Sequence, residues 1–168
     1  MTPTLATNRL TLRPLAASDA QALTKHLANW DVIKWLSAPP WPYTLEDAKW
    51  FIAQNDPEHW AIEIGAELSG VISFHPDLGY WLAKEHHGKG LMSEAVAAVL
   101  DWRFSQSDET IVSGHFLGNE ASQAILRKFG FKDTHIETQL SRPLGEDVEI
   151  QRMELTNERW HNLRTKAQ

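Results

Sequence analysis

The segment Lys84-Glu85-His86-His87-Gly88-Lys89-Gly90-Leu91-Met92-Ser93-Glu94 sets two glycines and a lysine between an apolar run and a helical pattern. The first amides of a helix lack internal partners and carry the positive end of its dipole. Gly88 and Gly90 allow positive φ and close backbone approach, so these amides can converge on an anion, with Lys89 adding charge beside it. The chemistry indicated is a phosphate cradle. Gly-x-Gly also serves ordinary strand-to-helix connections. Two familiar phosphate motifs do not fit. A dinucleotide fingerprint needs glycine where Ser93 stands, and a P-loop needs glycine at Ala83 and Ser or Thr where Gly90 stands.

Before the loop lie three titratable residues, Glu63, His75 and Asp77, each of which also reads as a turn or solvent-facing residue. His75 is the one that titrates near neutrality. After the loop, Asn119-Glu120-Ala121-Ser122 opens a short helix, where Asn119 reads as a cap and Ser122 as a first-turn residue. The chain has 8 His, but His86 and His87 are adjacent and diverge, and no His-Glu-x-x-His occurs, so the spacing argues against a metal site.

The elements that must position these residues follow from periodicity. Arg9 to Arg13 alternates as a half-buried strand that ends at Pro14. Ser18 to Gln21 reads as a capping box for a helix to about Ala28. Ala38-Pro39-Pro40-Trp41-Pro42 is a loop, and Trp35, Trp41 and Tyr43 around it read as pocket walls or as core. Thr44 caps a helix from Leu45 to about Gln54. Strands follow at Trp60–Ile64, around Ile72–Phe74 and at Leu78–Leu82. A helix spans about Leu91 to Ser105, with Met92, Val96, Val99 and Trp102 on one face. Ile111 to Leu117 reads as a buried strand, Asn119 to Phe129 as a helix stopped by Gly130, and 131–141 and 147–155 as final strands. In the last of these, Val148 and Ile150 differ in parity from Met153 and Leu155, which predicts a bulge there. The order gives a mixed α/β sheet with helices on both faces.

Composition bounds the rest. The 168 residues suit one domain, 1–168, with 42% hydrophobic and 23% charged residues, an ordinary globular balance. The absence of cysteine excludes disulfides, a thiol nucleophile and thiolate-bound metals. A net charge of −6 lacks the basic footprint of a nucleic-acid binder and favours cationic substrates. The N-terminal residues show no apolar signal core and no run is long enough to cross a bilayer, so the expectation is a cytoplasmic protein with no membrane partner.

Taken together, Arg9-Leu10-Thr11-Leu12-Arg13-Pro14, Gly79-Tyr80-Trp81-Leu82, the loop from Glu85 to Ala95, Asn119-Glu120-Ala121-Ser122 and Lys128-Phe129-Gly130-Phe131 carry a resemblance. The chain resembles the GNAT N-acetyltransferase superfamily, and within it the RimJ/RimL-like group that acetylates protein N-termini. These features span most of the chain in the family's order. The family's Gln/Arg-x-x-Gly-x-Gly/Ala loop has Glu85 in its first place here, which weakens a role for Glu85 but leaves the backbone amides intact.

The resemblance implies a mostly antiparallel twisted sheet of about seven strands, splayed between the fourth, 78–83, and the fifth, 111–117. It implies acetyl-CoA as donor, with its pyrophosphate on the amides of His87, Gly88, Lys89, Gly90, Leu91, Met92 and Ser93. The pantetheine arm would pair with the backbone of Trp81, Leu82 and Ala83, and Asn119 would hydrogen-bond it. Leu126 occupies the place of the tyrosine acid found in many members, so Ser122 takes the role of general acid, as in RimL-like enzymes. Asp77 holds the place of the base, with His75, Glu63 or water as alternatives. The implied reaction is direct attack of a primary amine, a protein N-terminal α-amine, on acetyl-CoA in a ternary complex. The alternatives are a small-molecule amine acceptor, or a non-catalytic acyl-CoA sensor on the same fold. A monomer or homodimer is compatible with this reading.

Overall fold

The computed structural model describes residues 2–54, 56–74 and 76–167. Its centre is one eight-stranded sheet in the order β1-β2-β3-β4-β5-β6-β8-β7. The strands are β1 (Leu5–Ala6), β2 (Thr11–Pro14), β3 (His59–Ile64), β4 (Glu67–Phe74), β5 (Leu78–Leu82), β6 (Ile111–Phe116), β7 (Lys132–Ser141) and β8 (Glu146–Leu155). The helices are α1 (Ala20–Leu27), α2 (Trp30–Ile33), α3 (Leu45–Ala53), α4 (Leu91–Gln106), α5 (Glu120–Lys128) and α6 (Asn157–Lys166). Every neighbouring pair is antiparallel except β5 with β6. The expected mixed sheet is present, with the short β1 as its eighth strand.

Alternation in the strands divides the apolar residues between two cores. Trp60 and Ile62 of β3 pack with Met92, Val96 and Val99 of α4, Leu126 of α5 and Trp160 of α6. Ala61, between them, faces the other way, against Leu23 and Leu27 of α1, Val32 and Ile33 of α2 and Ala48 of α3. The β3–β4 ladder passes over Ser69: Ile62 pairs with Gly70 and Glu63 with Leu68. That one-residue bulge turns Leu68 and Val71, which differ in parity, into the same core.

Local signals explain several element ends. The Thr44 side chain accepts from the Asp47 amide and Asp47 answers at the Thr44 amide, a capping box worth ~1 kcal/mol. Gly130, at φ 87°, ends α5 in the left-handed region. The box expected at Ser18 and Gln21 does not form. A 3₁₀ turn at Ala17–Asp19 precedes α1 instead, and the buried Asp19 binds both Arg13 Nη atoms at 2.9 Å and the Ala16 amide at 2.8 Å. The bulge expected in β8 lies in its partner: Asp133 pairs with Met153 and Ile136 with Gln151, so the extra residue is in β7. Helices α2 and α6 have no counterpart in the sequence pattern. Thr156 caps α6, and the Trp160 indole N–H donates to Asp101 at 3.1 Å.

Between β5 and β6 the sheet parts. The two strands share a single register position, Leu78 with Ser113, where the Ser113 hydroxyl donates to the Leu78 carbonyl at 2.8 Å. Beyond that point β5 keeps only its β4 neighbour, through Gly70–Leu82, Val71–Trp81 and Ile72–Tyr80. The expected splay is therefore where the resemblance put it.

Candidate active site

A cleft of about 870 Å³ occupies the gap. One end is the loop that leads into α4. Gly88 and Gly90 both adopt positive φ, 73° and 74°, and Gly90 is the N-cap of α4 without any side-chain cap. The amides of Gly88 through Ser93 find no acceptor among the described residues, so the positive end of a 16-residue helix opens into the cleft. The His87 amide is different: it donates to the Lys84 carbonyl at 3.1 Å, and the His87 ring Nε2 meets the Leu82 carbonyl at 2.7 Å. His87 thus fastens the loop to β5, and the free amides begin at Gly88.

The long wall of the cleft is the open edge of β5. Amide and carbonyl of one strand residue point to the same side, and sides alternate along the strand. The Ala83 amide donates to Ser69 at 2.7 Å and its carbonyl accepts from the His86 amide at 3.0 Å. Ala83 is fully buried and does not line the cleft. By the same alternation the backbone of Trp81 faces β4, and the groups offered to the gap are the amide and carbonyl of Tyr80 and the amide of Leu82, whose carbonyl is held by the His87 ring.

The facing wall is the first turn of α5. The Asn119 side-chain oxygen accepts from the Ser122 amide at 3.3 Å, which leaves the Asn119 NH₂ for a ligand. The Ser122 hydroxyl lies 3.0 Å from the Tyr80 hydroxyl. Burial pushes the Tyr80 phenol up to about 12, against the opposing pull of that hydrogen bond, so it remains protonated through the neutral range. An uncapped helix end, an unpaired strand edge and an Asn–Ser turn therefore share one cleft.

The model of the acetyltransferase (GNAT) domain family matches residues 9–132. The chain belongs to that family. It is 30% identical over 150 residues to the uncharacterized N-acetyltransferase YoaA of Bacillus subtilis strain 168, covering 79% of this chain and 84% of YoaA. Among solved structures its fold is similar to RimL, the ribosomal L7/L12 alpha-N-protein acetyltransferase, in complex with coenzyme A, at a TM-score of 0.78 and 19% identity over 92% of this chain and 98% of RimL. It is also similar to the ribosomal-protein-S5-alanine acetyltransferase of Vibrio fischeri, at 0.76 and 20% over 94% and 98%. The two neighbours share the fold, and membership of the acetyltransferase (GNAT) family makes the chain an acyltransferase.

Within this GNAT framework the predicted residues divide as follows. Asp77, Trp81, Leu82, His87, Gly88, Gly90, Leu91, Met92, Ser93, Asn119 and Ser122 line the cleft. Ala83 and Lys89 do not; Lys89 contributes its carbonyl, which accepts from Arg9 Nη1 at 2.9 Å. Glu85 turns away, to 3.8 Å from the buried His26 ring. Glu63 lies outside the cleft and pairs with Arg13 at 2.6 Å. His75 falls outside the described residues. Of the three aromatic candidates, Trp35 lines the cleft, edge-on to Phe116. Trp41 packs on Trp30 and Tyr43 is buried in the core under α3, so neither is a wall.

Two features of the site had no sequence signal of their own. Arg9 reaches across from the segment before β2 and binds Glu94 in the first turn of α4. Burial pushes the Glu94 carboxyl up, but hydrogen bonds from Thr7 and Arg9 outweigh it and hold the group below the usual range. On the far side of the cleft, Arg152 of β8 binds Asp77 and lies 3.5 Å from Glu137 of β7. That end is covered by the segment before α3. Arg142 donates its amide to Ser37 at 2.9 Å and a guanidinium N–H to Ala38 at 3.0 Å, and Gln139 reaches Ser37 at 3.1 Å.

Proposed function

We propose that this acyltransferase moves acetyl from acetyl-CoA to a primary amine, a protein N-terminal α-amine, by direct attack in a ternary complex in the cytoplasm. The carrying observation is the shared cleft: the uncapped α4 amides and the unpaired edge of β5 face Asn119 and Ser122 across one gap. In this reading the amides of Gly88 to Ser93 hold the pyrophosphate, since helix N-termini favour anions by charge and by hydrogen bonding. The backbone of Tyr80 and Leu82 pairs with the pantetheine arm as an added strand, and the Asn119 NH₂ donates to it.

The amine enters from the side of Trp35, Asp77 and Glu137. These carboxylates suit a cationic acceptor, with Arg152 offsetting part of their charge. An α-amine near pKa 8 costs ~1.4 kcal/mol to deprotonate at pH 7, so a weak base is sufficient. Asp77 has that role here, with one oxygen held by Arg152 and the other left to take the proton through water. Nitrogen attacks the thioester carbon, the C–S bond breaks, and Ser122 protonates the departing sulfur.

A screen of peptides and small amines with acetyl-CoA, read by thiol release, tests the reading. Turnover with peptides bearing a free N-terminus, lost when that terminus is blocked, is expected. Turnover confined to small amines would overturn the protein-acceptor assignment. Ser122→Ala tests the acid: kcat should fall by ~100-fold with little change in acetyl-CoA KM.

A further inference from the structure

On the cleft wall the Tyr80 phenol and the Ser122 hydroxyl meet at 3.0 Å, one from the strand edge and one from the first turn of α5. We propose that Tyr80 is the positioning residue of the leaving-group acid, donating its O–H to Ser122 Oγ so that the Ser122 proton is aimed at the thioester sulfur. The inference rests on the reading of Ser122 as general acid.

The directional argument is a count of protons. Each hydroxyl has one, and their mutual hydrogen bond uses one. If Ser122 were the donor, no proton would remain on it for the sulfur. If Tyr80 is the donor, Ser122 Oγ–H is free to point into the cleft. The phenol is suited to the donor role, because burial disfavours its anion. Its placement is rigid: the ring packs against the larger core, and the Tyr80 backbone pairs with Ile72 of β4. Ser122 is equally fixed, through its amide on the Asn119 cap. A lone serine hydroxyl rotates freely, so a fixed neighbour that occupies its lone pair selects one rotor.

The step balances as follows. The amine nitrogen bonds to the thioester carbon and loses a proton to the base. The C–S electron pair moves to sulfur, which takes the Ser122 proton and becomes a thiol. The Tyr80 proton moves to Ser122 Oγ as Ser122 gives up its own, and the proton taken by the base returns to Tyr80 through water, so no net charge is left. No redox partner is needed. Tyr80 therefore acts through Ser122, in a place the sequence pattern does not mark, since the tyrosine acid of many relatives falls on Leu126 here.

The test is a double-mutant cycle of Tyr80→Phe, Ser122→Ala and the double variant, on the full chain with acetyl-CoA and the best amine from the screen. Phe keeps the ring in the core, and thermal melts verify folding. Tyr80→Phe is expected to lower kcat about 10-fold, with acetyl-CoA KM within about twofold and a changed solvent isotope effect on kcat. In the Ser122→Ala background it should change nothing further. Wild-type kcat for Tyr80→Phe beside an impaired Ser122→Ala overturns the positioning role and leaves the acid reading standing. Losses that multiply in the double variant overturn it too, because Tyr80 would then act independently of Ser122. Wild-type kcat for Ser122→Ala removes the acid reading itself, and this inference with it.

Discussion

Arg9 and Glu94 meet at 2.7 Å, and the same guanidinium donates to the Lys89 carbonyl at 2.9 Å, so one residue ahead of β2 clasps both the glycine loop and the first turn of α4. Its other Nη atom would lie 3.5 Å from a Cβ placed on Gly90. The clasp turns the Lys89 carbonyl toward Arg9 and adds a cation beside the free amides.

Arg9→Ala is therefore expected to act on the ligand more than on the fold. The Arg9 side chain is 46% exposed, and ion pairs of that kind contribute ~0.5 kcal/mol to stability. Coenzyme A should bind about 10-fold more weakly by calorimetry, since both phosphate charge and loop position are affected. A melting temperature shifted by many degrees with unchanged coenzyme A affinity would count against the clasp.

Tyrosine ionisation offers a second test that needs no ligand. The chain has 2 tyrosines, and both are pushed up to about 12, Tyr43 by burial and then by the Asp47 charge, Tyr80 by burial. A raised folded value means stability that is whole below the unfolded value near 10 and is lost as pH rises through 12. An alkaline titration of the native protein should show little tyrosinate absorbance at pH 10.5, while the chain in denaturant titrates near 10. A native phenol ionising near 10 would show that one of the two sites is open to water.

The glycine loop and the Asn119 turn are legible because each rests on local chemistry, glycines at positive φ and a cap residue, whereas the parting of the strands follows only from the family resemblance. Gly88 and Gly90 mark the cradle by what they lack. The Tyr80–Ser122 contact and the Arg9 clasp were not legible, because they join residues 42 and 85 positions apart through the packed sheet. Ala83 could not be excluded from the arm-binding edge without knowing that the Ser69 bulge presents its carbonyl there. Helix α6 is illegible for a different reason: its pattern is mostly polar, and Trp160 is its one buried residue. Tyr43 reads like a pocket aromatic in sequence, and only the packing of α3 places it in the core.

Gly70 is where the β5 edge is most vulnerable. A Cβ there would stand 2.4 Å from the Trp81 carbonyl oxygen, a backbone atom with nowhere to go, and 3.1 Å from Leu82 Cδ1. Gly70→Ala must push β5 away from β4, across the pairing that holds Leu82. Overpacking of this kind costs ~1–3 kcal/mol. The variant should melt at lower temperature and bind coenzyme A more weakly, since the displaced strand is the one that offers its edge to the arm. Wild-type affinity in a destabilised Gly70→Ala protein would mean that the β5 edge does not hold the ligand.

The cradle itself is tested by paired substitutions at Gly90. Space is not the obstacle, because a Cβ would make only an ordinary contact with Arg9 at 3.5 Å. The obstacle is φ, 74°, which costs an L residue ~1–2 kcal/mol, with asparagine and aspartate the most tolerant. Gly90→Asn and Gly90→Asp therefore carry similar shape and similar strain, and differ by one negative charge among the free amides. If those amides hold a pyrophosphate, the aspartate variant should bind coenzyme A at least 10-fold more weakly than the asparagine variant, and the gap should narrow as salt screens the repulsion. Affinity for pantetheine, which lacks the pyrophosphate, should be the same for both. Equal coenzyme A affinity in two folded variants would place the phosphates elsewhere, since no packing difference between Asn and Asp could cancel a charge set at the helix N-terminus.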